Sequence, residues 1–175
     1  MKSIKPIVIT IFIIGLIVAI FFNLAEEKGM VTIKKGNFDA KPLPIRLHHY
    51  QDSQCGMVID SLEYASEVVA PNGNTWFFHD HGGMVKWLEK RDFRDKAKIW
   101  VYARDTKEWI DGREAYYTKD ELTPMKYGFG AYKNRKENTI SFEEMRILTL
   151  RGETMRNPKI RQQLLKLKKD ENGSN

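Results

Sequence analysis

The chain has 175 residues, 42% of them hydrophobic and 30% charged, which suits one domain of ordinary size and excludes both a polytopic membrane protein and a disordered chain. A single cysteine excludes an intrachain disulfide framework, a cysteine-rich zinc fold and a CxxC redox pair within one molecule. The formal charge of +6 sits at the two ends, on Lys2 and Lys5 and on the basic residues of 156–175, so the body is neutral and nucleic-acid binding is not expected.

Pro6 to Ala25 carry no charge, and twenty residues at 1.5 Å rise span roughly 30 Å, about one hydrocarbon core. Lys2 and Lys5 precede the run, and Glu26 and Glu27 follow it. The segment therefore reads as an uncleaved transmembrane anchor over residues 1–25, with a cytoplasmic N-terminus. It lacks an A-x-A-like cleavage site, and no cysteine is present for lipid attachment. This places a single-pass protein in the inner (cytoplasmic) membrane, its C-terminal domain periplasmic or otherwise extracytoplasmic. Residues 26–50 follow as a tether, with Gly29, Gly36 and Pro42-Leu43-Pro44 arguing against a helix and Met30 to Ile33 suited to a short strand.

Glu63 to Ala70 and Thr75 to His79 are rich in strand formers and flank Asn72-Gly73, a favoured hairpin turn. A helix starts near Asp80, where Met84, Trp87 and Leu88 recur at helical spacing, and Lys98 to Ala103 is the next strand. The order then repeats. Lys107 to Ile110 and Arg113 to Tyr117 flank Asp111-Gly112, the other favoured two-residue turn, and Tyr127 to Tyr132 is a further strand. Ser141 and Glu144 form a capping box, with Ile140 and Met145 placed as its hydrophobic staple, for a helix over Phe142 to Leu150. A last basic helix, in residues 156–175, begins at Asn157-Pro158 and carries Ile160, Leu164 and Leu167 on one face. The fold class expected is α+β: an N-terminal transmembrane helix, then a domain at 51–155 made of two ββαβ-like hairpin–helix units.

The chemistry concentrates in sulfur. Cys55 and Met57 are two residues apart, so in extended structure a thiolate and a thioether leave the same face. Soft donors select Cu(I) over harder divalent ions. Met125, directly after Pro124 in a loop, is a second candidate thioether, whereas Met84, Met145 and Met155 read as core. The histidines come as His48-His49 and His79-Asp80-His81. Imidazole suits copper, zinc and nickel, and neither pair has the spacing of a zinc site. His79 and His81 share a face if the strand continues through them, and Asp80 is then either their orienter or the helix cap.

Taken in order, Cys55-Gly56-Met57-Val58, the Asn72-Gly73 turn with Trp76-Phe77-Phe78, Trp109 to Tyr117 (WIDGREAYY) and Thr123-Pro124-Met125 resemble the NosL family of nitrous oxide reductase accessory proteins, over about residues 50–132. The resemblance implies a Cu(I)-binding copper chaperone of denitrification, not an enzyme. Its implied partners are the apoprotein of a copper-containing reductase and the membrane copper-delivery components that serve it. It also implies a fold of two ββαβ units, and ligands at Cys55 and Met125 first and Met57 next. The chain departs from many members in having Asp52 where they carry a further cysteine, Lys126 where they carry glycine, and the Ile7–Phe22 run where they are lipidated.

The mechanism expected is ligand exchange from an open sulfur site. Two other readings stand beside it. One is a thiol-dependent catalyst with a histidine base near Cys55, which requires a lowered thiol pKa. The other is a metal-free interaction module that docks through the basic C-terminal helix.

Overall fold

A computed structural model describes the backbone of residues 5–26 and 29–172 and, within these, the side chains of 8–21, 29–167 and 169. It divides into two units, residues 1–30 and 31–175. In the first, helix α1 (Lys5–Glu26) forms where a helix is expected. Its described side chains run from Val8 to Phe21 and are all exposed. Among the described residues no helix is long and apolar enough to cross a membrane. That finding corrects the expected transmembrane anchor over residues 1–25 and the single-pass membrane location built on it. Lys2 and Glu27, on which the expected orientation partly rested, lie outside the described residues.

The second unit is α+β. Its sheet holds β1 (Ile33–Lys34), β2 (Ser66–Val69), β3 (Thr75–Phe78), β4 (Lys98–Tyr102) and β5 (Trp109–Asp111), in the order β1-β3-β2-β4-β5 with every pair antiparallel. A two-stranded ladder joins β6 (Tyr116–Tyr117) to β7 (Ala131–Tyr132). Helices α2 (His81–Leu88), α3 (Phe142–Arg151) and α4 (Pro158–Asn172) complete the described elements, with a 3₁₀ turn at Arg94–Lys96.

Central β2 is buried along its whole length, SEVV, because both faces of the sheet are covered. On one face Val68, Phe78, Ile99 and Val101 pack with Met84, Val85 and Leu88 of α2 and Met145 of α3. On the other, residues 31–50 lie across the sheet: Val31, Leu43, Ile45 and Leu47 pack against Tyr50, Ile59 and Phe77. The second half of the stretch expected as a tether is therefore a structural layer. The apolar residues that Pro42 and Pro44 keep out of a helix are spent on this contact.

That second face also holds Glu67. It is fully buried, one carboxylate oxygen accepts from the Leu43 N–H at 2.9 Å, and Oε1 has no partner. Burial pushes its pKa up to about 8, against the pull of the Leu43 N–H.

The first expected unit forms in full as β2–β3–α2–β4. Its hairpin turns at Asn72-Gly73, with Gly73 at φ +77 and the Ala70 N–H donating to the Asn74 carbonyl at 2.9 Å. The second unit is corrected in two places. Asp111-Gly112 turns the chain but joins no hairpin, since β5 pairs with β4 and β6 pairs with β7. Glycine is required at 112 by close packing: a Cβ there would lie 2.6 Å from Ile99 Cγ2. Nor, among the described residues, does a strand follow α3. The chain leaves α3 through Gly152, a left-handed cap at φ 74, and its next run begins at Pro158 and is helical. The capping box of Ser141 and Glu144 forms as expected.

Candidate metal centre

Residues 52–57 close into a tight turn around Asp52. Its Oδ1 accepts from the N–H groups of Gln54 and Cys55, at 2.7 and 2.9 Å. Its carbonyl accepts from Gly56 N at 2.8 Å, and its own N–H donates to the Met57 carbonyl at 2.8 Å. Gly56, at φ +75, takes the left-handed conformation that the turn needs. The backbone is therefore not extended between Cys55 and Met57, which corrects the shared face expected for them. The Asp52 carboxylate holds the turn, Cys55 is displayed on it at the surface, and Met57 is 47% exposed.

The same carboxylate binds the residue that follows β3. Asp52 Oδ2 accepts from the His79 N–H at 2.9 Å and lies 2.6 Å from His79 Nδ1. Asp52 is 1% exposed and His79 4%. Burial alone would raise the Asp52 pKa, but the bonds from the His79 ring and from the N–H groups of His79, Cys55 and Gln54 outweigh it and hold the carboxyl below its ordinary value. An ionised Asp52 can only accept, so Nδ1 is the donor in this bond and the ring orientation is fixed by it. Ligand atoms of Asp52, Cys55 and His79 all lie within 4.8 Å of one another. The Cys55 thiol is pushed up by partial desolvation and by the anionic neighbours Asp52 and Asp80, against a lowering backbone bond at Met57.

Met125 reaches this corner through Asp80. Asp80 caps α2, its Oδ1 accepting from Gly82 N at 3.1 Å, while Oδ2 accepts from Met125 N at 2.8 Å. Burial raises the Asp80 pKa, opposed by these bonds. Gly83 is the meeting point: a Cβ there would be 3.3 Å from Met125 Sδ and 3.6 Å from Gln54 Oε1. The missing side chain lets the thioether and the cysteine-bearing turn converge on one stretch of helix. At the preceding Gly82, the Tyr127 ring packs so closely that a Cβ would lie 2.1 Å from it. Lys126 sits at φ 62, the left-handed region that favours glycine.

The other candidate ligands lie elsewhere. The strand ends at Phe78 and the helix starts at His81, so His79 and His81 do not share a face. His81 is fully buried against Tyr117, with ring centroids 5.7 Å apart and neither ring nitrogen hydrogen-bonded. Burial, with Arg104 nearby, drives its pKa down to about 3. His48 is exposed at φ 64, its N–H bonded to the Ile59 carbonyl, and His49 is half-buried, its carbonyl accepting from Val31 N. Neither belongs to the Asp52, Cys55 and His79 group.

Sequence reasoning named His79 but missed the partner that organises it. The signal was present in Asp52-Ser53-Gln54-Cys55: an aspartate two and three residues ahead of free N–H groups is an Asx-turn former. Chemically the corner offers a thiol, an oriented imidazole and an adjoining thioether, a set suited to a soft or borderline cation. Compared with family models, curated proteins and solved structures, the chain matches none.

Proposed function

We propose that the protein binds Cu(I) through Cys55, with His79 and Met125 completing the set, and passes it on by ligand exchange. One observation carries this reading: the lone thiol shares a corner with the His79–Asp52 pair, and a thioether borders the same turn. The resemblance of Cys55-Gly56-Met57 and Thr123-Pro124-Met125 to the NosL motifs supports it and supplies the acceptor. That acceptor is the apoprotein of a copper-containing reductase, such as nitrous oxide reductase, or a component that delivers copper to it.

Cu(I) is the cargo. Binding displaces the thiol proton to solvent, and the cation offsets the negative charge that otherwise disfavours the thiolate. The Asp52 hydrogen bond fixes the imidazole and raises its donor strength. Because Cys55 lies at the surface, an incoming sulfur or imidazole can reach the metal, form a mixed-ligand intermediate and draw it away.

The test is titration of Cu(I) into the full chain against a chromophoric chelator. We expect stoichiometric uptake by the wild type. Cys55→Ser should weaken it by about 100-fold or more and Met125→Ala by about tenfold, at or above the loss that a supporting residue causes. Wild-type affinity in both variants would remove the site.

Thiol catalysis, with His79 as base and Asp52 as its orienter, rests on the same geometry. It needs a thiol that ionises readily, and burial and Asp52 push Cys55 the other way. Alkylation by iodoacetamide across pH separates the two: a thiolate already present at pH 6 favours the catalyst.

A further inference from the structure

Beside the Gln54–Cys55 turn, along α2, runs a groove of about 560 Å³ with Trp87 and Leu150 in its lining. Lys86, Lys90 and Arg91 line the same groove. Two of these cations are held in place: the Lys86 ammonium lies 5.7 Å from the Tyr127 ring centroid, and the Arg91 guanidinium lies 4.1 Å from that of Trp87. Lys90 and Arg91 are exposed and Lys86 is half-buried. Among the described residues no carboxylate pairs with any of the three. The one acid in the lining, Glu89, is already committed, one oxygen to Arg94 at 2.8 Å and the other to Arg146 at 2.9 Å. The groove therefore carries uncompensated positive charge over a partly apolar lining, and Gln54, the residue before the thiol, belongs to that lining.

We infer that this groove docks an acidic polypeptide segment of the copper-exchange partner, its carboxylates facing Lys86, Lys90 and Arg91 and an apolar side chain lying against the exposed Leu150, and so delivers the partner's metal-binding side chain to Cys55. The inference rests on the copper-exchange reading for its purpose, while the docking itself is measurable without metal. Opposite charge on the partner gives the encounter its rate and its orientation. The groove's concavity and its ring-held cations favour a polypeptide over a flat anionic lipid surface. A lipid surface needs only exposed lysines, whereas a polypeptide matches carboxylates to cations fixed at separate places along one helix.

The experiment uses the copper-free full chain and a short labelled peptide of alternating aspartate and leucine that ends in methionine. Fluorescence anisotropy should report binding that falls as salt rises. The Lys86→Glu/Lys90→Glu chain should weaken it by about tenfold or more, and the milder Lys86→Gln/Lys90→Gln chain by less, with circular dichroism unchanged in both. A peptide with lysine for aspartate should not bind. With Cu(I) loaded, transfer to the acidic peptide should outpace transfer to its asparagine counterpart, and the double variant should abolish that difference without changing Cu(I) affinity. Undiminished peptide binding in both double variants overturns the inference. So does binding only to phosphatidylglycerol vesicles, which would make the surface a lipid contact. Loss of Cu(I) binding in the wild type would instead end the copper reading, leaving the anisotropy result to decide the docking alone.

Discussion

Two buried acids organise two corners of the domain, and they are treated oppositely. Glu121 has both oxygens filled: Oε1 accepts from Thr118 Oγ1 at 2.6 Å and Tyr132 OH at 2.7 Å, and Oε2 accepts from Tyr64 OH at 3.1 Å and pairs with Arg104. The Arg104 guanidinium lies within that set and also over the Tyr64 ring. Arg104 also lies 3.8 Å from Glu63, and the corner ties β7 to the end of β4. Asp52 also has both oxygens engaged, but its partners are backbone N–H groups and one histidine, and a thiol stands at its edge. Among the described residues no lysine or arginine pairs with Asp52. An acid paired with an arginine is a structural tie, whereas one held by N–H groups beside a soft donor is suited to receiving a cation.

The comparison can be broken from either side. Glu121→Ala leaves Arg104 only its longer contact to Glu63 and takes the acceptor from Thr118, Tyr132 and Tyr64, and should cost roughly 3 kcal/mol of stability, read by urea unfolding, with Cu(I) affinity unchanged. Glu67, whose second oxygen is unpartnered, sharpens the contrast. Its folded pKa of about 8 lies above the unfolded value of 4.5. The folded state therefore holds the extra proton, and stability falls as pH rises from about 5 to about 8, by up to ~1.4 kcal/mol per pH unit. Glu67→Gln should flatten that slope in unfolding curves taken at successive pH values. Asp52→Asn releases His79 and should weaken Cu(I) binding by about 10- to 100-fold. The smallest effect is expected at Gly83. Gly83→Ala should stabilise α2 by up to about 1 kcal/mol, yet crowd Met125 Sδ and weaken Cu(I) binding by a few-fold. A gain in both stability and affinity would place Met125 outside the site.

Much of the fold was legible because it is locally coded. Asn72-Gly73, the Asp80 cap and the Ser141–Glu144 box each need only neighbouring residues, and each forms. The misread parts depend on distant residues. Asp111-Gly112 looks like a hairpin until Ile99 fills the space beside the glycine, and β6 takes its partner from Ala131–Tyr132. Cys55 and Met57 look like a strand pair until the Asp52 carboxylate captures the backbone between them. His79 and His81 are alike in sequence and opposite in fate, because the strand ends and the helix begins between them. The apolar run at Val8 to Phe21 is plain in sequence, yet among the described residues no helix is long and apolar enough to cross a membrane.

The layer of residues 31–50 is bonded to the sheet and to the cysteine turn at once. Val31 exchanges hydrogen bonds with His49 and Gln51, β1 pairs with β3, and the Thr32 carbonyl accepts from Ser53 Oγ at 2.8 Å. Tension applied to the chain at Val31 would therefore pass through Thr32 to Ser53, two residues from the thiol, before it reached the interior. The Thr32–Ser53 bond is thus one of the ties between the domain's entry and the cysteine turn, so a load applied at Val31 would be felt at the proposed metal corner.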